Sequence, residues 1–352
     1  MQNEQLANLL SVGVKNGASD VHFRPGDAPM YRVNGVLRPL GDAKLTAAHT
    51  KLIATSLLGE DVVNKNEADG PYSLPGIARF RVNVYRQRGS IAVVLRIIPA
   101  QVPTMESLQL PPVLKNIAMI DRGLVLVTGA TGSGKTSTLA AMIHHINTHA
   151  RKHILTIEDP IEFLHENGHS SISQREIGVD TDNFNTALRA ALRQDPDVIL
   201  VGEMRDVETI STALKAAETG HLVLSTVHTV DAASTVSRLI SVFPSNEQNS
   251  VRLRLADTLK ATISQRLLKS ADGRGRVLAQ EIMTQTVNVQ EHIRDPMKTA
   301  SLKDVLSKNR DMGMQSFDQH ITDLYKAGKV SLDEAKAAAT NPSDFERALN
   351  FG

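Results

Sequence analysis

The stretch GLVLVTGATGSGKT, residues 123–136, decides the fold of this 352-residue chain. Its first seven residues form an uncharged, mostly apolar run, which is typical of a strand buried on both faces of a parallel sheet. Residues 129–136 match the pattern G-x-x-x-x-G-K-[ST], and a helix is predicted over 136–148. A strand, a glycine-rich loop and a helix in this order predict a phosphate-binding P-loop in an α/β domain.

The residue types of this loop suit nucleotide binding. Gly129, Gly132 and Gly134 allow backbone N–H groups to converge on phosphate oxygens. Lys135 is expected to reach the β and γ phosphates, and Thr136 to offer its hydroxyl to Mg²⁺. We therefore predict that ATP and Mg²⁺ bind at the loop and the start of its helix, on Gly129, Ala130, Thr131, Gly132, Ser133, Gly134, Lys135, Thr136 and Ser137.

Carboxylates follow two further predicted strands. In DVILVGEMRD (197–206), Glu203 ends a buried strand, which is where ligands bind in open α/β sheets, so we predict that it supports Mg²⁺. In ILTIEDPIE (154–162), another strand runs into three carboxylates. Hydrolysis needs a group that orients or deprotonates water, and Glu158 and Glu162 are both candidates for this catalytic role. The alternatives are a helix-capping charge for Glu203 and a solvated turn for the other two.

Two histidines bracket a further predicted strand in AETGHLVLSTVHT, residues 217–229. His228 falls at the carboxyl end of that strand, beside the expected nucleotide, where an imidazole can donate a hydrogen bond to the γ-phosphate. We predict that this pair senses the state of the nucleotide. The alternative is a structural histidine, and it is stronger for His221 than for His228.

Composition limits the class of protein. Hydrophobic residues make up 41% and charged residues 22%, as in ordinary globular proteins. The absence of cysteine excludes disulfides and thiolate zinc sites. With 39 basic and 38 acidic residues the net charge is +1, which disfavours a nucleic-acid partner. No apolar run is long enough to predict an integral membrane segment, and a cytoplasmic location is expected.

A second, smaller domain is predicted before the P-loop domain. Residues 4–16 have the periodicity of an amphipathic helix, and residues 79–85 and 91–98 have the pattern of strands joined by a hairpin loop. A cluster of prolines then predicts a linker at 99–112. We assign residues 1–98 to an α+β domain.

The P-loop domain is assigned to residues 113–352. Apolar strands alternate with helices predicted near 184–194 and 207–219, which indicates a parallel sheet covered by helices on both faces. From about residue 232 onward the sequence is predicted to be mostly helical.

The predicted hairpin fixes a register. A two-residue turn at Arg88 and Gly89 pairs residues whose numbers add up to 177, so that Arg81 lies opposite Arg96. Like charges directly opposite are unfavourable by roughly 0.2–1 kcal/mol. An anion next to the pair is therefore expected, although two solvated side chains that splay apart are an alternative.

Four ordered segments resemble the bacterial secretion and type IV pilus motor ATPases. The segments GATGSGKT, TIEDPIEF, LRQDPDVILVGEMRD and AETGHLVLSTVHT are similar to the Walker A, Asp-box, Walker B and His-box motifs of that family. GASDVHF and GMQSFDQHITDLYKAG resemble its PilT/PilU branch, the retraction motors of twitching motility. The resemblance implies a PAS-like N-terminal domain, a RecA-like C-terminal domain and a homo-hexameric, Mg²⁺-dependent ATPase.

The resemblance also assigns roles to residues. It implies that Glu162 acts on the attacking water, that Glu203 is the Walker B glutamate and that His228 is the His-box histidine. It implies that N-terminal arginines reach the nucleotide phosphates, which makes Arg81 and Arg96 candidates. Arg193 and Arg205 are weaker candidates for the same task, from the same or a neighbouring subunit.

The resemblance implies a cellular setting as well. The expected partners are an inner-membrane platform protein of the pilus and a paralogous retraction ATPase, with the chain peripheral at the inner membrane. Pilus-extension and type II secretion motors usually carry a four-cysteine zinc module, which this sequence lacks, so retraction is favoured.

Three alternatives remain. The stretch NVQEHIRD (288–295) retains only Ile293, Arg294 and an acid of the AIRNLIRE motif of the main retraction motors, so an accessory retraction paralogue or another secretion-type ATPase is one alternative. A nucleic-acid translocase is a more distant one, since RecA-like hexamers also move nucleic acid. A P-loop regulator without force output is the third.

Overall fold

The computed structural model describes residues 3–33, 35–98 and 101–351. The chain forms two compact units. One comprises Met1–Gln101 together with Glu162–Leu164, and the other comprises Val102–Ile161 and His165–Gly352. The predicted linker at 99–112 is too long, because Met105 and Leu110 are buried in the core of the second unit. Pro99 and Ala100, at the start of that linker, lie outside the described residues.

The first unit is an antiparallel sheet with helices packed against it, which confirms the predicted α+β class. Its strand order is β3-β2-β1-β6-β5-β4. A 3₁₀ helix at Glu60–Asn64 follows the second helix. The elements in chain order are α1 (Asn3–Lys15), β1 (Ala18–Phe23), β2 (Met30–Val33), β3 (Val36–Pro39), α2 (Ala47–Leu58), β4 (Glu67–Leu74), β5 (Ala78–Gln87) and β6 (Ser90–Ile98).

Alternation along β5 explains which face of this sheet is covered. Phe80, Val82 and Val84 point into the core, and the side chains of Phe80 and Val82 are fully buried. Arg88 and Gly89 form the two-residue turn, with φ values of 49° and 79°. Two positive φ values match the right-handed twist of a hairpin. The turn sets the predicted register, in which Gln87 pairs with Ser90.

The second unit is built on a mostly parallel seven-stranded sheet, and the predicted α/β class is confirmed. In chain order, the elements of this unit as far as β11 are α3 (Val113–Ala118), β7 (Gly123–Gly129), α4 (Lys135–His149), β8 (His153–Glu158), β9 (Ser171–Glu176), α5 (Phe184–Ala191), β10 (Val198–Val201), α6 (Val207–Glu218) and β11 (Leu222–Val227).

The remaining elements complete the sheet and add the C-terminal helices. They are α7 (Ala232–Ser241), α8 (Gln248–Thr258), β12 (Leu259–Lys269), β13 (Arg276–Thr284), α9 (Val287–Arg294), α10 (Leu302–Lys308), α11 (Phe317–Lys326), α12 (Leu332–Ala338) and α13 (Pro342–Phe351), with 3₁₀ helices at Thr299–Ser301 and Arg310–Met312. None of the helices within residues 3–33, 35–98 and 101–351 is both long and apolar enough to cross a membrane.

Both faces of this sheet are covered, as predicted. Along β7, Leu124 and Leu126 contribute to one hydrophobic core, while Val125 and Val127 contribute to the core on the opposite face. Successive side chains of a strand point to opposite faces, so an uninterrupted apolar strand needs helices on both sides. The strand order β13-β12-β7-β11-β10-β8-β9 places the P-loop strand near the centre.

The prediction of a mostly helical chain after residue 232 is wrong for β12 and β13. These strands pair with each other over residues 261–269 and 276–284, and β12 also runs parallel to β7. Leucine, lysine, arginine and glutamine favour helices, and the segment LKATISQRLLK is rich in them. Pairing with a buried neighbouring strand outweighs that local preference. The edge strand β9 was also not predicted, because its sequence SISQRE has little apolar content.

Candidate functional site

The P-loop has the backbone geometry that a phosphate cradle needs. Gly132 and Gly134 have φ values of 78° and 88°, and Gly134 caps the start of α4. The Lys135 side chain is buried, and its Nζ donates to the carbonyl oxygens of Gly129 and Ala130 at 3.0 Å each. The hydroxyl of Ser133 is buried without a hydrogen-bond partner among the described residues. A loop with a buried ammonium and an unsatisfied hydroxyl at a helix N-terminus suits an anion.

Gly129 is required by close packing as well as by its backbone angle. Its φ is 143°, and a Cβ placed there would lie 2.5 Å from the hydroxyl of Ser133 and 2.6 Å from the carbonyl oxygen of Gln265. Gln265 pairs with Gly129 across β12 and β7. The loop is thus fixed against a strand that the sequence had not predicted.

A cavity of about 400 Å³ borders the loop. Its walls are Gly129–Ser133 on one side and, on the other, residues that sequence reasoning missed: Val230, Gln265, Arg266, Leu267 and Arg276. Four of these five lie on β12 or β13. Recognising β12 as a parallel strand would have found Gln265, because a buried amide in an apolar strand beside the P-loop is otherwise unexplained.

Glu203 and His228 lie together at the same edge of the sheet. The order β7-β11-β10-β8 brings the end of β11, with His228, next to the P-loop strand, and the end of β10, with Glu203, one strand further. His228 Nε2 lies 3.7 Å from Glu203 Oε2. The same carboxylate oxygen forms an ion pair with Arg205 Nη2 at 2.7 Å. The structure therefore brings together the predicted lysine, glutamate and histidine with Arg205, one of the two weaker arginine candidates.

The charges of this cluster act on the histidine. Burial lowers the pKa of His228, the positive charge of Lys135 lowers it further, and Glu203 opposes both. The imidazole is therefore neutral at pH 7 and has one N–H to donate. His221, by contrast, lies at the amino end of β11, where its Nδ1 is 3.0 Å from the carbonyl oxygen of Ala216. The prediction that His221 senses a nucleotide is wrong, because the phosphates are expected at the opposite end of the strand.

The two candidate glutamates after β8 have different surroundings. Glu158 is buried, and its Oε1 accepts from Thr156 Oγ1 at 2.6 Å and from Gln174 Nε2 at 3.0 Å. Its strand is the third from β7, which corresponds to about 14 Å at the usual strand spacing. Glu162 is exposed, four residues beyond the end of β8. The hydrogen bonds of Glu158 give this residue a structural role, while the catalytic role of Glu162 stays a prediction.

The donor types present suit Mg²⁺. This ion prefers oxygen ligands from carboxylates, phosphates and water. Glu203 supplies a partly exposed carboxylate at 22% exposure, and Thr136 supplies a hydroxyl at the half-buried start of α4. Ser137 is likewise half-buried there. The residues predicted to support the ion therefore fit it.

The first unit confirms the pairing of Arg81 with Arg96 and adds a carboxylate beside it. The two arginines lie directly opposite each other on β5 and β6. Asp20, on β1, lies opposite Arg96 on its other side and accepts from Arg96 Nε at 3.1 Å. Asp20 is also 3.7 Å from Arg32 Nε. The chain itself thus supplies an anion for Arg96, which stays 72% exposed, and Arg81 is exposed as well.

Arg193 does not join the cluster at the P-loop. It is exposed, its Nη1 donates to the carbonyl oxygen of Arg189 at 3.3 Å, and it lines a separate cavity between α5 and α6 with Lys215. Of these two arginine candidates, only Arg205 lies next to Glu203, so it is the stronger candidate for contact with the nucleotide.

Known proteins are similar to this chain over both units. A family model described as "Type II/IV secretion system protein" matches residues 3–337. The type IV pilus retraction ATPase PilT of Pseudomonas aeruginosa is 44% identical over 344 residues, which cover 97% of this chain and 99% of the relative. The type IV pilus ATPase PilU of the same organism is 38% identical over 352 residues, covering 99% and 92%. A crystal structure of the pilus retraction motor PilT with bound ADP superposes with a TM-score of 0.90 at 41% identity, covering 97% of this chain and 99% of that chain.

Proposed function

The chain belongs to the type II/IV secretion system protein family, and on that premise we propose that it is a motor ATPase that drives the retraction of type IV pili. The observation that carries the proposal is the cluster of Lys135, Glu203 and His228 at the carboxyl edge of the sheet, beside an intact P-loop. A relative that is 44% identical over nearly its whole length is named a pilus retraction ATPase.

The nucleotide is held by the P-loop in this proposal. Backbone N–H groups of Gly129–Thr136 bind the phosphates, and Lys135 exchanges its two carbonyl partners for phosphate oxygens. The hydroxyl of Thr136 and the carboxylate of Glu203 would hold Mg²⁺. When bound, this ion offsets the negative charge of the β and γ phosphates.

Hydrolysis is assigned to residues at the strand ends. Glu162 accepts a proton from the attacking water, which is the task of a general base. His228, neutral at pH 7, donates a hydrogen bond to the γ-phosphate. When hydrolysis removes the γ-phosphate, this hydrogen bond is lost and the loop that precedes α7 changes its position. Arg205 competes with the metal for Glu203, since it holds the same carboxylate oxygen at 2.7 Å. Arg81 and Arg96 contribute positive charge to the phosphates.

The proposed assembly and location follow from the family. We expect a homo-hexamer at the cytoplasmic face of the inner membrane, with a platform protein of the pilus as its partner and no nucleic acid. A paralogous retraction ATPase is a further expected partner, because the chain is also 38% identical to PilU.

The central test removes the charges of the site. Lys135→Ala and Glu203→Ala should each lower ATP turnover by about 10²-fold or more, because they remove charge stabilisation of the transferred phosphoryl group. Lys115→Ala is the matched control, since Lys115, on α3, forms a surface ion pair with Glu106 and does not line the cavity beside the P-loop. Near-normal hydrolysis by either site variant would contradict the assignment of the site.

The motor role needs a second measurement. Cells whose chromosomal gene carries Lys135→Ala should extend fluorescently labelled pili and fail to retract them, whereas Lys115→Ala cells should retract normally. Loss of ATPase activity with unchanged retraction would identify a nucleotide hydrolase that is not the retraction motor.

An accessory retraction motor is the second candidate, and helix α9 is the observation that favours it. Of the motif of the main motors this helix keeps Ile293, which is buried in the core, and Arg294, which pairs with Asp257 at 2.6 Å. Both have structural partners. Of the positions that differ, Val289 is also buried in the core, whereas Asn288 and Glu291 are exposed. If the chain is the main motor, deleting its gene should abolish pilus retraction. If it is an accessory motor, the deletion should only slow retraction, and the paralogous ATPase should be essential for retraction.

A further inference from the structure

A second, larger cavity lies in the same unit as the P-loop. Its volume is about 760 Å³, within the usual range for pockets that bind small molecules. It opens between the start of α7, the strands β12 and β13, and the helices α10 and α11. The charged residues that line it are Asp231, Arg266, Glu281, Lys303, Asp304 and Asp318.

Glu281 is the distinctive residue of this cavity. Its side chain is only 6% exposed, and its Oε1 accepts from the backbone N–H of Ala232 at 2.9 Å. Among the residues that the structure describes, the N–H of Ala232 is the sole hydrogen-bond donor to this carboxyl group, so its Oε2 has no protein partner. A buried carboxylate normally has its oxygens satisfied, so an open oxygen at a cavity wall points to a missing donor.

The two cations of the cavity do not satisfy that oxygen. Arg266 lies 3.8 Å from the ring centroid of Phe317 and donates from Nη1 to the carbonyl oxygen of Ala338 at 2.7 Å. Lys303 is exposed on α10. Arg266 thus has partners of its own and acts on Glu281 only through its charge, and no ion pair joins Glu281 to Arg266 or Lys303 in the described part of the chain.

Two of the remaining carboxylates stabilise helices or loops. Asp231 caps α7 through the N–H of Ser234, and Asp318 accepts from the N–H of Thr340. Asp304 is exposed on α10. Four carboxylates against two cations leave a formal charge of −2 at the walls when all are ionised. An anion such as a nucleotide is therefore disfavoured there. Among the described residues no group of three or more acidic or histidine side chains could hold a metal ion.

We propose that this cavity is a second ligand site, which takes a small organic cation with an ammonium or guanidinium group that donates to Glu281 Oε2. Such a group supplies both the positive charge and the hydrogen-bond donor that Glu281 Oε2 lacks. Asp304 and the hydroxyls of Ser234 and Ser307 line the same space and accept from the rest of the ligand.

The site is connected to the nucleotide pocket through shared residues. Arg266 lines both cavities. Glu281 caps the first residue of α7, and the segment directly before that helix carries His228 and Val230. Occupancy of the second site should therefore change the affinity for ATP. This linkage rests on the proposed function, whereas binding of the cation does not.

The ionisation of Glu281 supplies an independent readout. Burial raises its pKa to about 7, the N–H of Ala232 opposes the shift, Asp231 and Asp318 raise the pKa, and Arg266 lowers it. A cation binds the ionised form. With a pKa of about 7, the ionised fraction falls about tenfold between pH 8 and pH 6, and the affinity should fall by about the same factor.

The test is calorimetric titration of the full chain, without nucleotide, at pH 8. The probe is agmatine, which carries a guanidinium and an ammonium group, and 1,4-butanediol and succinate serve as neutral and anionic controls. Agmatine alone should bind, and Glu281→Gln should weaken it at least tenfold. The matched control is Glu291→Gln, an exposed carboxylate on α9, which should leave binding unchanged.

Several outcomes would overturn the proposal. The absence of agmatine binding to the wild type at millimolar concentration excludes a cation on this carboxylate. Equal affinity of Glu281→Gln and the wild type for agmatine excludes it as well. If Glu281→Gln fails to fold, Asp304→Asn on the exposed side of α10 replaces it and should weaken binding several-fold, with unchanged affinity counting against the site. Because no nucleotide is present, a failure of the ATPase assignment leaves these results unaffected.

Discussion

Replacing Gly129 by alanine tests how tightly the P-loop is held against β12. The backbone at Gly129 has φ 143°, a region that is essentially restricted to glycine and costs other residues about 1–3 kcal/mol. The added methyl group would also lie 2.6 Å from the carbonyl oxygen of Gln265, in a buried strand that cannot turn aside. Overpacking of this kind costs about 1–3 kcal/mol. The two effects together predict a loss of about 2–6 kcal/mol.

The matched control separates strain from crowding. Gly178 also has a positive φ, 79°, but a Cβ there would meet no atom within 4 Å, and the residue lies in the turn after β9. Gly178→Ala should therefore cost only about 1–2 kcal/mol, the usual penalty for a left-handed backbone. A larger loss of stability in Gly129→Ala than in Gly178→Ala therefore reports the crowding against Ser133 and Gln265 together with the greater backbone strain at Gly129.

The assay combines stability with binding. Urea denaturation is followed by far-UV circular dichroism, because the chain has no tryptophan for fluorescence. Gly129→Ala should lower the midpoint by more than Gly178→Ala does, and should weaken the binding of a fluorescent ADP analogue at least tenfold. A Gly129→Ala protein as stable as Gly178→Ala, with wild-type affinity for ADP, would refute the reasoning.

Further predictions concern the residues that are proposed to act on the nucleotide. Glu162→Gln should retain ATP but hydrolyse it about 10²-fold more slowly, as expected for a lost general base, while Glu158→Gln keeps most activity; single-turnover rates in the opposite order would reverse the assignment. His228→Ala should uncouple hydrolysis from retraction more than it weakens ATP binding, and unchanged turnover together with unchanged retraction would make it a structural residue. Because burial lowers its pKa, wild-type activity should persist from pH 8 through 6.5. Arg96→Ala should fold and assemble yet lose most ATPase activity, with Arg81→Ala similar or milder; a fully active double variant would end this hypothesis.

Local sequence rules were sufficient where neighbours in the chain decide the structure. The run 123–136 specifies a strand, a loop and a helix, because its apolar residues, its glycines with positive φ and the lysine at the start of the helix all lie within one short segment. The two-residue turn at Arg88 and Gly89 fixes the whole hairpin register, since side chains alternate with a period of two. The candidate residues Glu203 and His228 were found for the same reason, as each follows its own apolar strand directly.

What the sequence by itself did not determine depends on partners far along the chain. Strand β12 has a helix-favouring composition and becomes a strand because it pairs with β7, more than 130 residues earlier. Asp20 meets Arg96 across 76 residues, and Glu281 caps α7 across 49. The hydrophobic periodicity of a sequence gives no information about contacts between residues that lie so far apart along the chain. The sequence therefore determined the phosphate cradle and the strand ends, while the tertiary structure decided which wall closes the cradle and where a buried carboxylate is left facing a cavity.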